Sequence, residues 1–160
     1  MNEKGGRRIL RGLLRKALGG VDPRAAVSRA LSRPRISRLL EGARRVGVFA
    51  CGKAASAMVR GVPSRLRRGA LVVLPRGYPA AGLSSLEVLF SSHPDPDASS
   101  VRAARRALDF FAGFGREDVI LCLISGGTSS LLAMPRPGLT LDAKRRVVRR
   151  LMRAKMFLPR

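Results

Sequence analysis

The stretch Asp118-Val119-Ile120-Leu121-Cys122-Leu123-Ile124-Ser125-Gly126-Gly127-Thr128-Ser129-Ser130 decides the fold. Val119 to Ile124 are six consecutive apolar residues, strand-length and apolar on both faces, which predicts a central strand of a parallel sheet. Two glycines follow at once and permit a sharp turn, and a short turn of helix is expected after the hydroxyl-rich residues that come next. The same unit recurs upstream: Val46 to Ala50 form a β-rich run, the turn falls at Cys51-Gly52, and Ala54, Ala57 and Met58 suit a close-packed helix. Further strands are predicted at residues 70 to 74 and 87 to 90, an amphipathic helix from about Ala98 to Phe111, and a last helix from about Asp142 to Ala154. Strands alternating with helices predict a three-layer, Rossmann-like α/β body with a mainly parallel sheet. A helical pair is expected ahead of it. Its first helix carries Ile9, Leu10, Leu13, Leu14 and Leu18 on one face and stops at Gly19-Gly20, and its second is capped by Asp22 before Pro23.

A chain of 160 residues has room for one domain. Its formal charge of +22 comes from 32 Lys plus Arg against 10 Asp plus Glu. The net charge is +10 over residues 1 to 45, +3 over 46 to 100 and +9 over 101 to 160. An apolar content of 46% excludes a disordered basic tail, and 4% aromatic residues leave few stacking platforms for single-stranded nucleic acid. The charge therefore reads as an arginine-biased surface rather than a nucleic-acid footprint. Cys51 and Cys122 lie far apart and the chain has a single His, which weighs against a zinc site. No apolar run approaches membrane-spanning length and the basic start lacks a signal-peptide core, so a cytoplasmic protein is expected, with a transit peptide as the alternative.

Three segments carry candidate chemistry. Gly47 to Lys53 fits seven positions of the phosphate-binding pattern G-x-x-x-x-G-K-[ST]. Ala54 then stands where the Mg²⁺-binding hydroxyl belongs, and Gly47 falls inside a strand, so a P-loop is excluded. What survives is Lys53, directly after Gly52 at a strand-to-helix junction, where an ammonium and backbone N–H groups can meet an anion or the lysine simply reaches into solvent. The second segment is Ser125, Gly126, Gly127, Thr128 and Ser129, an anion cradle or simply a turn and helix cap. The third is His93-Pro94-Asp95-Pro96-Asp97, stiffened by its prolines. Asp97 is the economical cap for the helix that follows, while His93 and Asp95 either face a ligand or complete the turn. No G-x-S-x-G and no dinucleotide G-x-G-x-x-G occurs, which weighs against a serine hydrolase and a nicotinamide reductase.

Together VGVFACGKAASAM, SSHPDPDASSVRAARRAL and DVILCLISGGTSSLLAMPRPGLTLDAKRRVVRRLMRA, in this order, resemble the N-terminal domain of the MOFRL-type glycerate 2-kinases. The resemblance implies an ATP- and Mg²⁺-dependent transfer of phosphate to the 2-hydroxyl of D-glycerate, in a cleft between two α/β domains. Lys53 matches the family's GKA lysine and is expected to be catalytic. Gly52 and Ser125 to Ser129 match its nucleotide and substrate loops, with Thr128 in place of a third glycine. His93 and Asp95 match its HPxPD segment, and the metal ligands are left unassigned. The resemblance also implies an E-N-x-V-R-K-H-L-S stretch and a C-terminal MOFRL domain, neither of which follows Ala154. Residues 1 to 45 are thus expected to be a helical lead-in, 46 to 154 an incomplete α/β body and 155 to 160 a divergent tail. A truncated kinase, inactive alone and open to pairing with a separately encoded second half, is the expectation. Hydroxypyruvate reductase and an arginine-rich nucleic-acid module are the alternatives.

Overall fold

The structure, a computed structural model, describes residues 3 to 154; the tail at 155 to 160 lies outside the described residues. Four strands, β1 (Val46–Cys51), β2 (Leu71–Pro75), β3 (Glu87–Ser91) and β4 (Val119–Ile124), form one sheet in the order β3-β2-β1-β4, with every neighbouring pair parallel. The helices are α1 (Glu3–Gly20), α2 (Pro23–Leu31), α3 (Pro34–Glu41), α4 (Ala55–Arg60), α5 (Ala98–Ala112), α6 (Thr128–Leu131) and α7 (Leu141–Arg153).

Successive side chains of a strand point to opposite faces, and in β1 and β2 both faces are apolar and covered. Val48 and Ala50 of β1, with Val72 and Leu74 of β2, pack with Val27 of α2 and with Ala55 and Val59 of α4. Phe49, Cys51, Leu71 and Val73 pack on the other side with Ala103, Ala107 and Phe110 of α5 and with Leu131 of α6. This is the three-layer arrangement that the strand and helix alternation predicts. Gly47 lies within β1, where a β-carbon would sit 2.3 Å from the Phe114 ring. Its missing side chain makes room for that ring, which is a packing reason for the glycine rather than a phosphate-binding one.

Three expectations are corrected. Among the described residues β4 pairs only with β1 and is an edge strand, not a central one. A continuous apolar run reports that a strand can be covered above and below and says nothing of its lateral neighbours; Cys122 and Ile124 are in fact exposed. The lead-in holds three helices rather than two, because Pro34 supplies a pre-set first-turn φ directly after α2 ends. The apolar stripe of α1 is not buried: Leu10 is 67% exposed, and Gly19 and Gly20 extend the helix instead of stopping it.

Helix caps follow the sequence closely. The Asp22 carboxylate accepts from Arg24 N–H at 3.0 Å, and Asp97 forms a capping box with Ser100 at the start of α5. Two hydrogen bonds from Ser99 and the Arg76 guanidinium hold the Asp97 carboxyl down at about 2.

A third acidic residue ties the starts of two strands together. The buried Asp118 carboxylate accepts from Gly115 N–H at 2.9 Å, Arg45 at 3.1 Å and Arg44 at 3.2 Å, linking the starts of β1 and β4. The Gly115 N–H first, then the two guanidiniums, hold its carboxyl below the usual carboxylate range. A depressed folded-state pKa contributes stability that is fully present above the unfolded value near about 4. That contribution is lost as the pH falls through the folded value. The urea midpoint is therefore expected to drop as the pH is lowered from 6 toward 2, and Asp118→Asn to flatten that slope; an equal slope in both proteins would refute it.

Candidate functional site

The chain leaves β1 outward to β2 and β3, then returns through α5 to lay β4 on the other side of β1. The strand order therefore reverses between β1 and β4. In open parallel sheets the C-terminal ends of the two strands flanking such a reversal form the ligand crevice, because their following loops diverge to opposite faces.

Both candidate loops start there. Cys51 and Ile124 are register partners at the ends of β1 and β4, so Gly52-Lys53 and Ser125 to Ser130 emerge side by side. Ser125 N–H donates to the Cys51 carbonyl at 3.0 Å, and Lys53 N–H donates to the Gly126 carbonyl at 3.0 Å. The Ser125 hydroxyl accepts from Ala54 N–H at 3.1 Å. The Thr128 hydroxyl lies 2.8 Å from the Ser125 carbonyl and 3.1 Å from that of Cys51. These two hydroxyls stitch the loops to each other, and Thr128 opens α6 while Gly127 takes the left-handed φ of 99°. Burial pushes the Cys51 thiol up to about 11, so this cysteine is no nucleophile at neutral pH.

Gly127 marks where the third segment arrives. A β-carbon there would lie 2.9 Å from the His93 ring and 3.6 Å from the Lys53 side chain. His93, Lys53 and the Gly126-Gly127 turn thus share one small region. The N–H groups of Gly126 and Gly127 have no hydrogen-bond partner among the described residues. Lys53 and Ser129 are exposed. An ammonium, an imidazole and unpaired N–H donors are the groups whose chemistry suits an anion.

Asp95 is placed differently. Its carboxylate is forked by Arg149 of α7, whose Nε lies 3.3 Å from Oδ1 and whose Nη2 contacts Oδ2, and Arg145 lies 3.8 Å away. Those arginines hold its carboxyl below the usual range. In the sequence Arg145 and Arg149 stand one helical turn apart among the basic residues of the last helix, which fit an arginine-rich binding face there; their carboxylate partner, fifty residues upstream, is set by the fold. Among the described residues no group of three His, Cys, Asp or Glu side chains gathers as metal ligands. With Asp95 held by arginines and Asp97 by the α5 cap, the side chains present do not fit a Mg²⁺ cage.

The fold and crevice define an open parallel α/β domain with two paired glycine-containing turns, Lys53 and His93 at its strand C-termini. Residues 9 to 157 match the family described as a domain of unknown function, DUF4147, and the chain belongs to that family. It is 35% identical over 91% of its length to an Agrobacterium vitis protein named as a hydroxypyruvate reductase, of which it covers 32%. It is 28% identical over 81% of its length to a D-glycerate 2-kinase of Thermotoga maritima, of which it covers 30%. The crystal structure of a Thermotoga maritima glycerate kinase superimposes with a TM-score of 0.76 at 25% identity, over 94% of this chain and 36% of that one. A Pyrococcus horikoshii protein superimposes with a TM-score of 0.70 at 26% identity. The chain thus spans about a third of the length of the relatives it matches. No described helix is long and apolar enough to cross a membrane.

Proposed function

We propose that this chain carries the phosphate-binding part of a glycerate 2-kinase, and that the remaining two thirds of such an enzyme complete the site. The observation that carries the reading is the lateral pairing of the Lys53 turn with the Gly126-Gly127 turn through the Lys53 N–H bond to Gly126. Phosphoryl transfer asks for little covalent help from the protein and much positioning and cationic stabilisation. Lys53 is the catalytic residue in this reading, set to neutralise charge on the transferring phosphate. Gly52, Gly126 and Gly127 let backbone approach the nucleotide, Ser125 and Thr128 fix the loop, and Ser129 and His93 line the shelf. ATP is the phosphate donor and D-glycerate the acceptor. Mg²⁺ would be brought in with the nucleotide and would supply charge neutralisation on its phosphates. Asp95 serves the site indirectly, through its segment. By itself the chain is expected to bind nucleotide without turning over.

The name of the Agrobacterium vitis relative supports a second reading, hydroxypyruvate reduction. Against it, the first strand-to-helix turn, Cys51-Gly52-Lys53-Ala54, lacks the glycine spacing that brings backbone close to a dinucleotide pyrophosphate. The two free cysteines, Cys51 and Cys122, suit the reducing cytoplasm to which this proposal assigns the protein. Titration calorimetry with Mg·ATP, NADH and a DNA duplex separates the readings. Saturable Mg·ATP binding without NADH binding is the expected result. NADH binding without ATP binding would replace the kinase by the reductase, and steeply salt-dependent DNA binding alone would leave only an arginine-rich binding module.

A further inference from the structure

Helix α7 has no buried residue, yet it sends two guanidiniums from successive turns to a single carboxylate on the candidate site's third segment. Arg149 grips Asp95 as a fork, and Arg145 bridges between Asp95 and Asp142, at 3.8 and 3.3 Å. Asp95 stands between Pro94 and Pro96 and two residues after His93. The pyrrolidine rings leave this segment few conformers, so a force applied at Asp95 reaches His93 with little slack. His93 in turn lies against Gly127, where a β-carbon would meet its ring at 2.9 Å. At the other end of the segment Asp97 is fixed by the α5 cap and by Arg76 at 2.9 Å. The segment is therefore held at two carboxylates, one anchored to the core helix and one to a helix that lies outside the core.

We propose that Arg149, assisted by Arg145, is a positioning residue: α7 latches Asp95 and so holds the His93 ring over the Gly126-Gly127 turn. Its consequence for phosphate binding rests on the kinase reading above, whereas the latch itself does not. The pair is half-exposed, with Arg149 at 49% and Asp95 at 47%, so it is expected to hold in low salt and loosen as ionic strength rises. A fork of two N–H donors also sets orientation in a way that an ammonium does not, which makes Lys an incomplete substitute.

His93 is the only histidine in the chain, so its ring gives one unambiguous set of NMR signals. Arg149→Gln is expected to shift or broaden those signals and to remove the cross-peaks between the His93 ring and Gly127. Arg149→Lys is expected to restore them in part, and the exchange Asp95→Arg with Arg149→Asp to restore more. Arg146→Gln, an exposed neighbour on the same helix, is the control and is expected to leave His93 unchanged. Unaltered His93 signals and cross-peaks in Arg149→Gln would overturn the latch, as would the same perturbation in the Arg146 control. A Mg·ATP titration of the same proteins separates the two readings. If His93 moves and Mg·ATP affinity falls several-fold, both stand. If His93 moves while the wild-type chain binds no Mg·ATP, the latch stands and the phosphate reading fails.

Discussion

Gly52→Ala is expected to destabilise the fold by about 3 to 5 kcal/mol, the largest loss foreseen for any single methyl group added to this chain. Two costs combine. Gly52 has a φ of +118°, which an L residue adopts only under strain. Its β-carbon would lie 2.3 Å from the Ser125 hydroxyl, 2.6 Å from the Ser125 carbonyl oxygen and 2.8 Å from its carbon. The last two atoms belong to backbone that is itself hydrogen-bonded to Cys51 at 3.0 Å, so they cannot yield without breaking the pairing of the two loops. Against a total stability of about 5 to 15 kcal/mol, such a loss leaves a marginal protein. Gly126→Ala is the control, since nothing lies within 4 Å of a β-carbon there and its φ is not positive. Urea unfolding of the two variants should show a large drop in midpoint for Gly52→Ala and a change under about 1 kcal/mol for Gly126→Ala. Equal midpoints would mean that the turns are not packed together as described.

Lys53→Ala is expected to have the opposite profile, with stability unchanged and function lost. The Lys53 side chain is exposed, and the hydrogen bond that joins the loops uses its backbone N–H, which alanine keeps. The unfolding free energy should therefore stay within about 0.5 kcal/mol of the parent. An ammonium hydrogen-bonded to a phosphate is worth roughly 1.5 to 3 kcal/mol, so Mg·ATP affinity should fall by about ten- to over a hundred-fold. In a chain extended by the second portion of a kinase relative, loss of a group aimed at developing charge should cost about 10² to 10³ in kcat. Lys53→Arg should recover binding better than turnover, because a guanidinium is broader and differently directed than an ammonium. Parent-like binding and turnover in Lys53→Ala would remove this residue from the site.

Much of the architecture was readable from local pattern. The apolar runs at Val46 and Val119, the Asp22 and Asp97 caps and the amphipathic face of α5 each depend on neighbours within a few positions, and all appear in the fold. The pairing of Lys53 with the Gly126-Gly127 turn was legible only in outline. Two glycine-containing turns after two strong strands imply neighbouring loops only once those strands are known to be adjacent. The roles of individual hydroxyls were not legible. Ser125 and Thr128 look like ligand donors in the sequence, and in the fold their oxygens meet the Cys51, Ala54 and Ser125 backbone.

The sequence by itself determined the class of the domain and the residue types available to an anion, because hydrophobic period, capping and turn chemistry act over a few residues. Strand order, the edge position of β4, the exposed stripes of α1 and α7, and the capture of Asp95 by Arg149 were decided by tertiary structure alone. Each depends on which surfaces far apart in the chain come to cover one another. The same Val119-to-Ile124 run would read alike in the middle of a sheet or at its margin.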